Sequence, residues 1–247
     1  MLLRPFQWLL LQALLLLLGA LSLGWNLVAF VLYPLLPSRV GIVLGRSAIA
    51  ESYRAFWWFA GITGMLKMQT DALAPLREEG GLIIVANHPS LLDALMLVAR
   101  LPRGFCIMKA SLLRNPFLGA GARLSRYIGN DTGHGMIRNA VDGLREGGQL
   151  VLFPEGTRTT QTPLNPFRPG VTMIAKLAGA PIQTVFIDTD SPYLGKGWPL
   201  WRLPPIPIVF TARLGERFAP RDDAAALLRE IEQSFIAGMQ PRGATAP

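Results

Sequence analysis

The 247-residue chain carries 24 Lys and Arg against 16 Asp and Glu, for a net charge of +8, and 51% of its residues are hydrophobic while only 16% are charged. Twenty of the basic residues are Arg, and they lack the dense basic and aromatic clustering of a nucleic-acid surface, so the charge points to an anionic membrane surface. A single cysteine, Cys106, excludes an internal disulfide and a Cys-rich metal centre, and the length fits one α/β domain with an appendage.

From Phe6 to Pro37 there is no charged side chain. About 20 apolar residues cross a bilayer as a helix. This run is longer, which predicts a tilted span or a helical hairpin that dips in and returns, with Gly24 and Asn26 at the bend. It is also too long for the apolar core of an ordinary signal peptide. Residues 1–40 are therefore expected to anchor the chain in a membrane. Arg4 precedes the run, and Arg39, Arg46 and Arg54 follow it. A hairpin with both ends cytoplasmic satisfies all four, and a single span places the C-terminal side inside. Residues 41–69 include the aromatic stretch Ser52–Met68, with Trp57 and Trp58. It reads either as an interfacial amphipathic helix or as a helix buried on the domain.

Residues 70–240 alternate between short apolar runs and helical segments. Strands are expected at 81–86, 104–109, 126–129, 149–153, 181–187 and 208–215. Helices are expected at 90–101, 115–124, 135–148, 170–180 and 222–239. This order predicts βαβ units and a mostly parallel sheet flanked by helices. The runs are apolar without alternation, as in strands covered on both faces. Residues 188–207, rich in Pro, Gly and Trp, read as a loop or lid. Arg202 and the tryptophans near it are expected at lipid headgroups.

Chemistry concentrates at two strand ends. The first is Asn87-His-Pro-Ser-Leu-Leu-Asp93. Pro89 disfavours the α region at His88 and favours a helix start just after it. His88 then lies on the loop and Asp93 about one turn into the helix. A carboxylate there reaches one imidazole nitrogen, holds its tautomer and leaves the other nitrogen to take a proton. The bland alternative is a structural cap at a helix start. The second motif is Phe153-Pro-Glu-Gly-Thr-Arg158, a tight turn whose backbone N–H groups and Arg158 can hold a phosphate. Two such motifs at the carboxyl ends of parallel strands point to one shared site.

Together these motifs resemble those of the glycerolipid acyltransferases, the 1-acylglycerol-3-phosphate acyltransferase type. Asn87–Asp93 matches the NHxSxxD pattern of that family and Phe153–Arg158 matches its FPEGTR motif throughout. Residues 109–119 and 167–182 resemble its intermediate blocks, so the resemblance covers about 70–190. It implies acyl transfer from acyl carrier protein or CoA thioester to a lipid hydroxyl, with no cofactor, no metal and no covalent acyl-enzyme. His88 is implied as the base and Asp93 as its orienting partner. Asn87, Ser90, Lys109, Glu155, Gly156, Thr157 and Arg158 are implied as substrate-binding residues, with Arg158 on the phosphate. The implied setting is the inner (cytoplasmic) membrane, with the catalytic domain on the cytoplasmic side and membrane lipids as partners.

One block departs from the pattern. The family places an arginine in a block like Phe-Ile-Asp-Arg, where this chain has Tyr-Ile-Gly-Asn-Asp, so the position falls on Asn130 or Asp131. Either Arg126 or Arg138 replaces it, or the acceptor is another lysolipid, an ornithine-type lipid or an unusual lipid-linked product. His134 reads as a solvated loop residue, Cys106 as core and Lys176 as helix surface. No Gly-x-Ser-x-Gly elbow occurs, which counts against a serine hydrolase. The rival functions are a non-catalytic lipid binder of the same fold and a thioesterase that activates water.

Overall fold

The computed structural model describes residues 3–131 and 133–239. Two long helices open the chain, α1 (Leu3–Leu32) and α2 (Ser38–Ile62). A seven-stranded sheet follows: β1 (Leu66–Gln69), β2 (Leu82–Ala86), β3 (Gly104–Met108), β4 (Ile128–Gly129), β5 (Gln149–Leu152), β6 (Ile182–Thr189) and β7 (Ile208–Phe218). Between and after the strands lie α3 (Leu92–Arg100), α4 (Gly119–Leu124), α5 (His134–Arg145), α6 (Gly170–Ala178) and α7 (Ala224–Met239).

The sheet order is β1-β7-β6-β2-β5-β3-β4. Strands β2 to β6 run parallel, β7 runs antiparallel to β6, and β1 is parallel to β7. The expected parallel sheet thus acquires a reversed edge. Strand β2 is apolar throughout because both faces are covered. Leu82, Ile84 and Ala86 join a cluster with α1, α2 and α3, while Ile83 and Val85 join one with α5, α6 and α7.

This topology makes a crevice. From β2 the chain passes through α3 to β3, beyond β5; from β5 it passes through α6 to β6, beyond β2. Adjacent strands therefore send their connections in opposite directions, with α3 on one face and α6 on the other. The gap between the carboxyl ends of β2 and β5 is the topological switch point, where open α/β sheets bind ligands.

The N-terminal region corrects two expectations. Helix α1 runs unbroken through Gly24 and Asn26, and the chain turns at 33–37, where Pro34 and Pro37 end one helix and precede the next. Asn26 is instead a buried tie: its amide donates to Pro116 O at 2.6 Å and accepts from the Ala120 and Gly121 N–H groups at 2.7 and 3.1 Å. Those are first-turn donors of α4 that no intrahelical carbonyl serves. Secondly, Ser52–Met68 is not one helix. Helix α2 stops at Ile62, Gly64 takes φ +70°, and Leu66–Gln69 becomes the edge strand β1. Both readings of its aromatic pair find a place, since Trp57 is buried against Phe210 and Trp58 is 61% exposed.

Helix α1 is long and apolar enough to cross a membrane, and only 11% of its most apolar window is buried within the molecule. Its 30 residues extend roughly 45 Å, more than the ~30 Å hydrocarbon core. Leu11 and Leu14 pack on the domain, whereas Phe6, Leu9, Leu16, Leu27 and Phe30 are exposed.

Candidate active site

Pro89 keeps His88 out of the helix, and α3 begins at Leu92 with Asp93 in its first turn. Asp93 Oδ2 accepts from the Ser90 N–H at 2.7 Å and lies 3.0 Å from His88 Nδ1. One carboxylate thus reaches back to the residue just before the helix and grips the imidazole. An ionised Asp93 places the ring proton on Nδ1, so Nε2 presents a lone pair. Nε2 has no partner among the described residues, and the His88 side chain is 15% exposed. Phe153 stacks on the ring at 4.0 Å with an interplanar angle of 19°. Held on its edge by Asp93 and on its face by Phe153, the imidazole has little freedom to rotate.

Asp93 is completely buried, and its Oδ1 has no hydrogen-bond partner among the described residues. Burial pushes its carboxyl above the ordinary range, and the hydrogen bonds from His88 and Ser90 offset part of that rise. Cys106 lies in β3, where burial raises its thiol to about 12, so at neutral pH it is not a thiolate nucleophile. Among the described residues no three His, Cys, Asp or Glu side chains converge as metal ligands would.

The second motif is stitched to the first. Glu155 Oε1 accepts from the His88 N–H at 3.2 Å and from the Thr159 hydroxyl at 2.6 Å, and Oε2 accepts from the Asn165 N–H at 3.0 Å. The Thr159 N–H donates to His88 O at 2.8 Å. Glu155 is only 4% exposed, so it braces the backbone of the base and does not line an acceptor surface. Asn87 and Ser90 are likewise interior. The Asn87 amide donates to Ile187 O and accepts from Ile187 N–H, both at 2.7 Å, prolonging the β2–β6 ladder by one side chain. Substituting Asn87 by Ala orphans both buried Ile187 groups, and the expected cost is about 2–4 kcal/mol of stability. Thermal melting of the detergent-solubilised protein checks it. The Ser90 hydroxyl donates to Tyr193 O at 2.9 Å.

Gly156 and Thr157 are exposed on the turn, and Lys109 is exposed at the end of β3. Two strand spacings separate β3 from β2, which is roughly 10 Å. Gly156 has φ +67°, and a Cβ there would fall 2.5 Å from Arg168 Nε. The glycine thus leaves room for the Arg168 guanidinium to lie on the turn, while the Arg168 N–H donates to Pro154 O. Arg168 is exposed and forms no ion pair among the described residues. In the sequence it is one polar residue of the 167–182 block, with no local signal of its contact with the turn.

Arg158 makes an unforeseen contact. Its NH1 donates to Leu194 O at 2.7 Å and Gly195 O at 3.0 Å. Together with the Ser90 bond to Tyr193 O and the Leu91 N–H bond to Leu194 O, it holds the 190–207 loop over the site. The loop continues to α1, where Trp8 and Gln12 donate to the carbonyls of Trp201 and Leu200. Substituting Arg158 by Lys keeps the charge but not the planar fork. The expected result is faster proteolysis near residue 195 and an activity loss on the order of tenfold, shared equally by phosphorylated and phosphate-free acceptors.

The middle block carries no arginine at Asn130 or Asp131. Asn130, just past β4, accepts from the Ala110 N–H. Arg126 precedes β4 and pairs at 3.6 Å with Glu146, which precedes β5, so it lies at the amino ends of the strands, away from the site. Arg138 is exposed in the second turn of α5.

Residues 67–188, which hold every residue of the dyad, the turn and the Arg168 contact, match the family model described as Acyltransferase. The chain is 24% identical to a 1-acyl-sn-glycerol-3-phosphate acyltransferase of Pseudomonas aeruginosa over 189 residues, 74% of this chain and 72% of the relative. It is 29% identical to a lyso-ornithine lipid O-acyltransferase of the same organism over 194 residues, 72% and 71% of the two chains. The crystal structure of the 1-acyl-sn-glycerophosphate (LPA) acyltransferase PlsC from Thermotoga maritima superposes with a TM-score of 0.72 over 99% of both chains, at 18% identity, and so shares the fold. Fold, motif geometry and relatives agree: residues 67–188 form an acyltransferase domain, and the chain is an acyltransferase similar to those that act on glycerolipids.

Proposed function

We propose that the enzyme moves a fatty acyl group from an acyl thioester, of acyl carrier protein or of CoA, to the free hydroxyl of a lysophospholipid such as 1-acylglycerol-3-phosphate. The observation that carries the proposal is the 3.0 Å His88–Asp93 contact at the switch point, with Nε2 of the ring open. Nε2 takes the proton of the acceptor hydroxyl as its oxygen attacks the thioester carbonyl carbon. The tetrahedral adduct then collapses, the carbon–sulfur bond breaks, and the imidazolium returns the proton to the departing thiolate. Asp93 stabilises the imidazolium between the two transfers. The nucleophile belongs to the substrate, so no acyl-enzyme forms.

The exposed apolar surface of α1 and α2 seats the domain on the inner membrane, where the lipid acceptor resides. The soluble donor places the site on the cytoplasmic side. Arg168 supplies the cation on the turn that the middle block lacks. A second reading, an ornithine-type acceptor, is favoured by Asn130 and by the similar match to the lyso-ornithine lipid acyltransferase.

A panel of lysolipid acceptors with one purified donor separates these readings. The first predicts the highest kcat/KM for 1-acylglycerol-3-phosphate. It also predicts that Arg168→Gln lowers this value about tenfold while sparing phosphate-free acceptors. Greater activity on a lyso-ornithine lipid, unchanged in Arg168→Gln, selects the second.

A further inference from the structure

A basic cavity lies apart from the dyad. Three elements converge on it: α2 with Arg54, the 3-10 helix Asp71–Glu78 with Arg77, and the last turn of α3 with Arg100. Its volume is about 90 Å³, ample for a tetrahedral anion, and Ala74 and Ala99 complete its wall. Arg100 Nε donates to the buried Thr70 hydroxyl at 2.7 Å, which fixes the plane of its guanidinium. The other nitrogens of Arg100 have no acceptor, and no acid pairs with it among the described residues. Arg54 pairs with Glu51 through NH2, yet its Nε is buried without an acceptor. Arg77 has only Glu78, at 3.8 Å and beyond hydrogen-bond range. Asp71 is the one acid in the lining, against three guanidinium groups.

A fixed guanidinium with no acid partner, a buried N–H without an acceptor and three guanidinium groups in one lining describe an anion site. We propose that this cavity binds a phosphate group. Planar N–H forks match phosphate oxygens, and a desolvated guanidinium gains most from such a partner. Arg54 lies one turn before the exposed Trp58 on a helix whose outer residues Val43, Leu44 and Ile62 are also bare. The phosphate therefore comes either from a lipid headgroup at the membrane surface or from solution. The site shares α3 with the catalytic pair: Asp93 begins the helix and Arg100 ends it, about 10 Å along the axis. Neither the His88–Asp93 pair nor the 153–158 turn lines it, so it is distinct from the site around His88.

Thermal melting of the full chain in neutral detergent tests the proposal, titrated with inorganic phosphate and, separately, with dihexanoyl phosphatidylglycerol, using chloride at matched ionic strength as the control. The wild type is expected to be stabilised saturably by at least one probe. Arg77→Gln and Arg100→Gln are expected to weaken the half-saturating concentration on the order of tenfold each. Asp71→Asn is expected to tighten it, a gain that structural damage does not produce. Arg77 is half exposed and Asp71 exposed, so both variants keep the test valid if Arg100→Gln misfolds. A stronger response to the lipid assigns the headgroup as ligand, and a stronger response to free phosphate assigns a soluble one. Equal responses of wild type, Arg77→Gln and Asp71→Asn to both probes overturn the proposal.

Discussion

Replacing His88 by alanine will lower kcat by about 10²–10⁴-fold, the range a positioned general base contributes, while the KM for the acceptor changes little. The ring is mostly enclosed, by Asp93 at its edge and Phe153 on its face, and presents only Nε2 outward. Its loss therefore removes proton transfer more than binding surface. Alanine also leaves a buried carboxylate without its partner, which destabilises the fold. His88→Gln separates the effects, because its amide can donate to Asp93 but cannot act as a base. Steady-state kinetics on both variants should give equal losses of kcat, with the glutamine protein the more stable. A purely structural His88 predicts unchanged turnover in the glutamine variant.

Asp93→Asn carries the second large effect, and it acts in two directions. Asparagine presents a neutral amide to Nδ1 and no longer stabilises the imidazolium, so kcat should fall on the order of 10²-fold or more. Stability should respond oppositely. Burial raises the folded carboxyl above its unfolded value, so the native state binds that proton more tightly. The associated stability is full below about pH 4, where the unfolded carboxyl is protonated, and is lost as pH rises through the raised value. Asparagine has no such transition. Melting temperatures measured from acid to neutral pH should therefore show the variant gaining on the wild type as pH rises. A constant difference would mean that Asp93 bears no charge penalty in the fold.

Much of the architecture was legible because burial leaves a mark on composition. The run Leu82–Ala86 is apolar on both faces and forms the central strand; the motifs at the ends of β2 and β5 met as expected. What escaped was information held by distant partners. Nothing near Asn26 states that its amide meets the start of α4, some 90 residues on, so the residue reads as a bend. Periodicity carries no strand direction, and the reversed edge formed by β1 and β7 was hidden for that reason. Glu155 looks like a substrate ligand because it sits in a polar turn, yet its acceptor atoms are consumed by backbone N–H groups of His88 and Asn165 and by the Thr159 hydroxyl. Arg158 in turn reads as a phosphate fork, while half of its fork holds loop carbonyls.

The most direct measurement follows the acyl carbon itself. Purified full-length protein is given an acyl thioester labelled in the carbonyl carbon together with 1-acylglycerol-3-phosphate, and the products are separated. The base mechanism predicts label in a diacyl lipid for the wild type, and in neither lipid nor free acid for His88→Ala. Label released as free fatty acid by the wild type, or carried into lipid equally fast without His88, would contradict it.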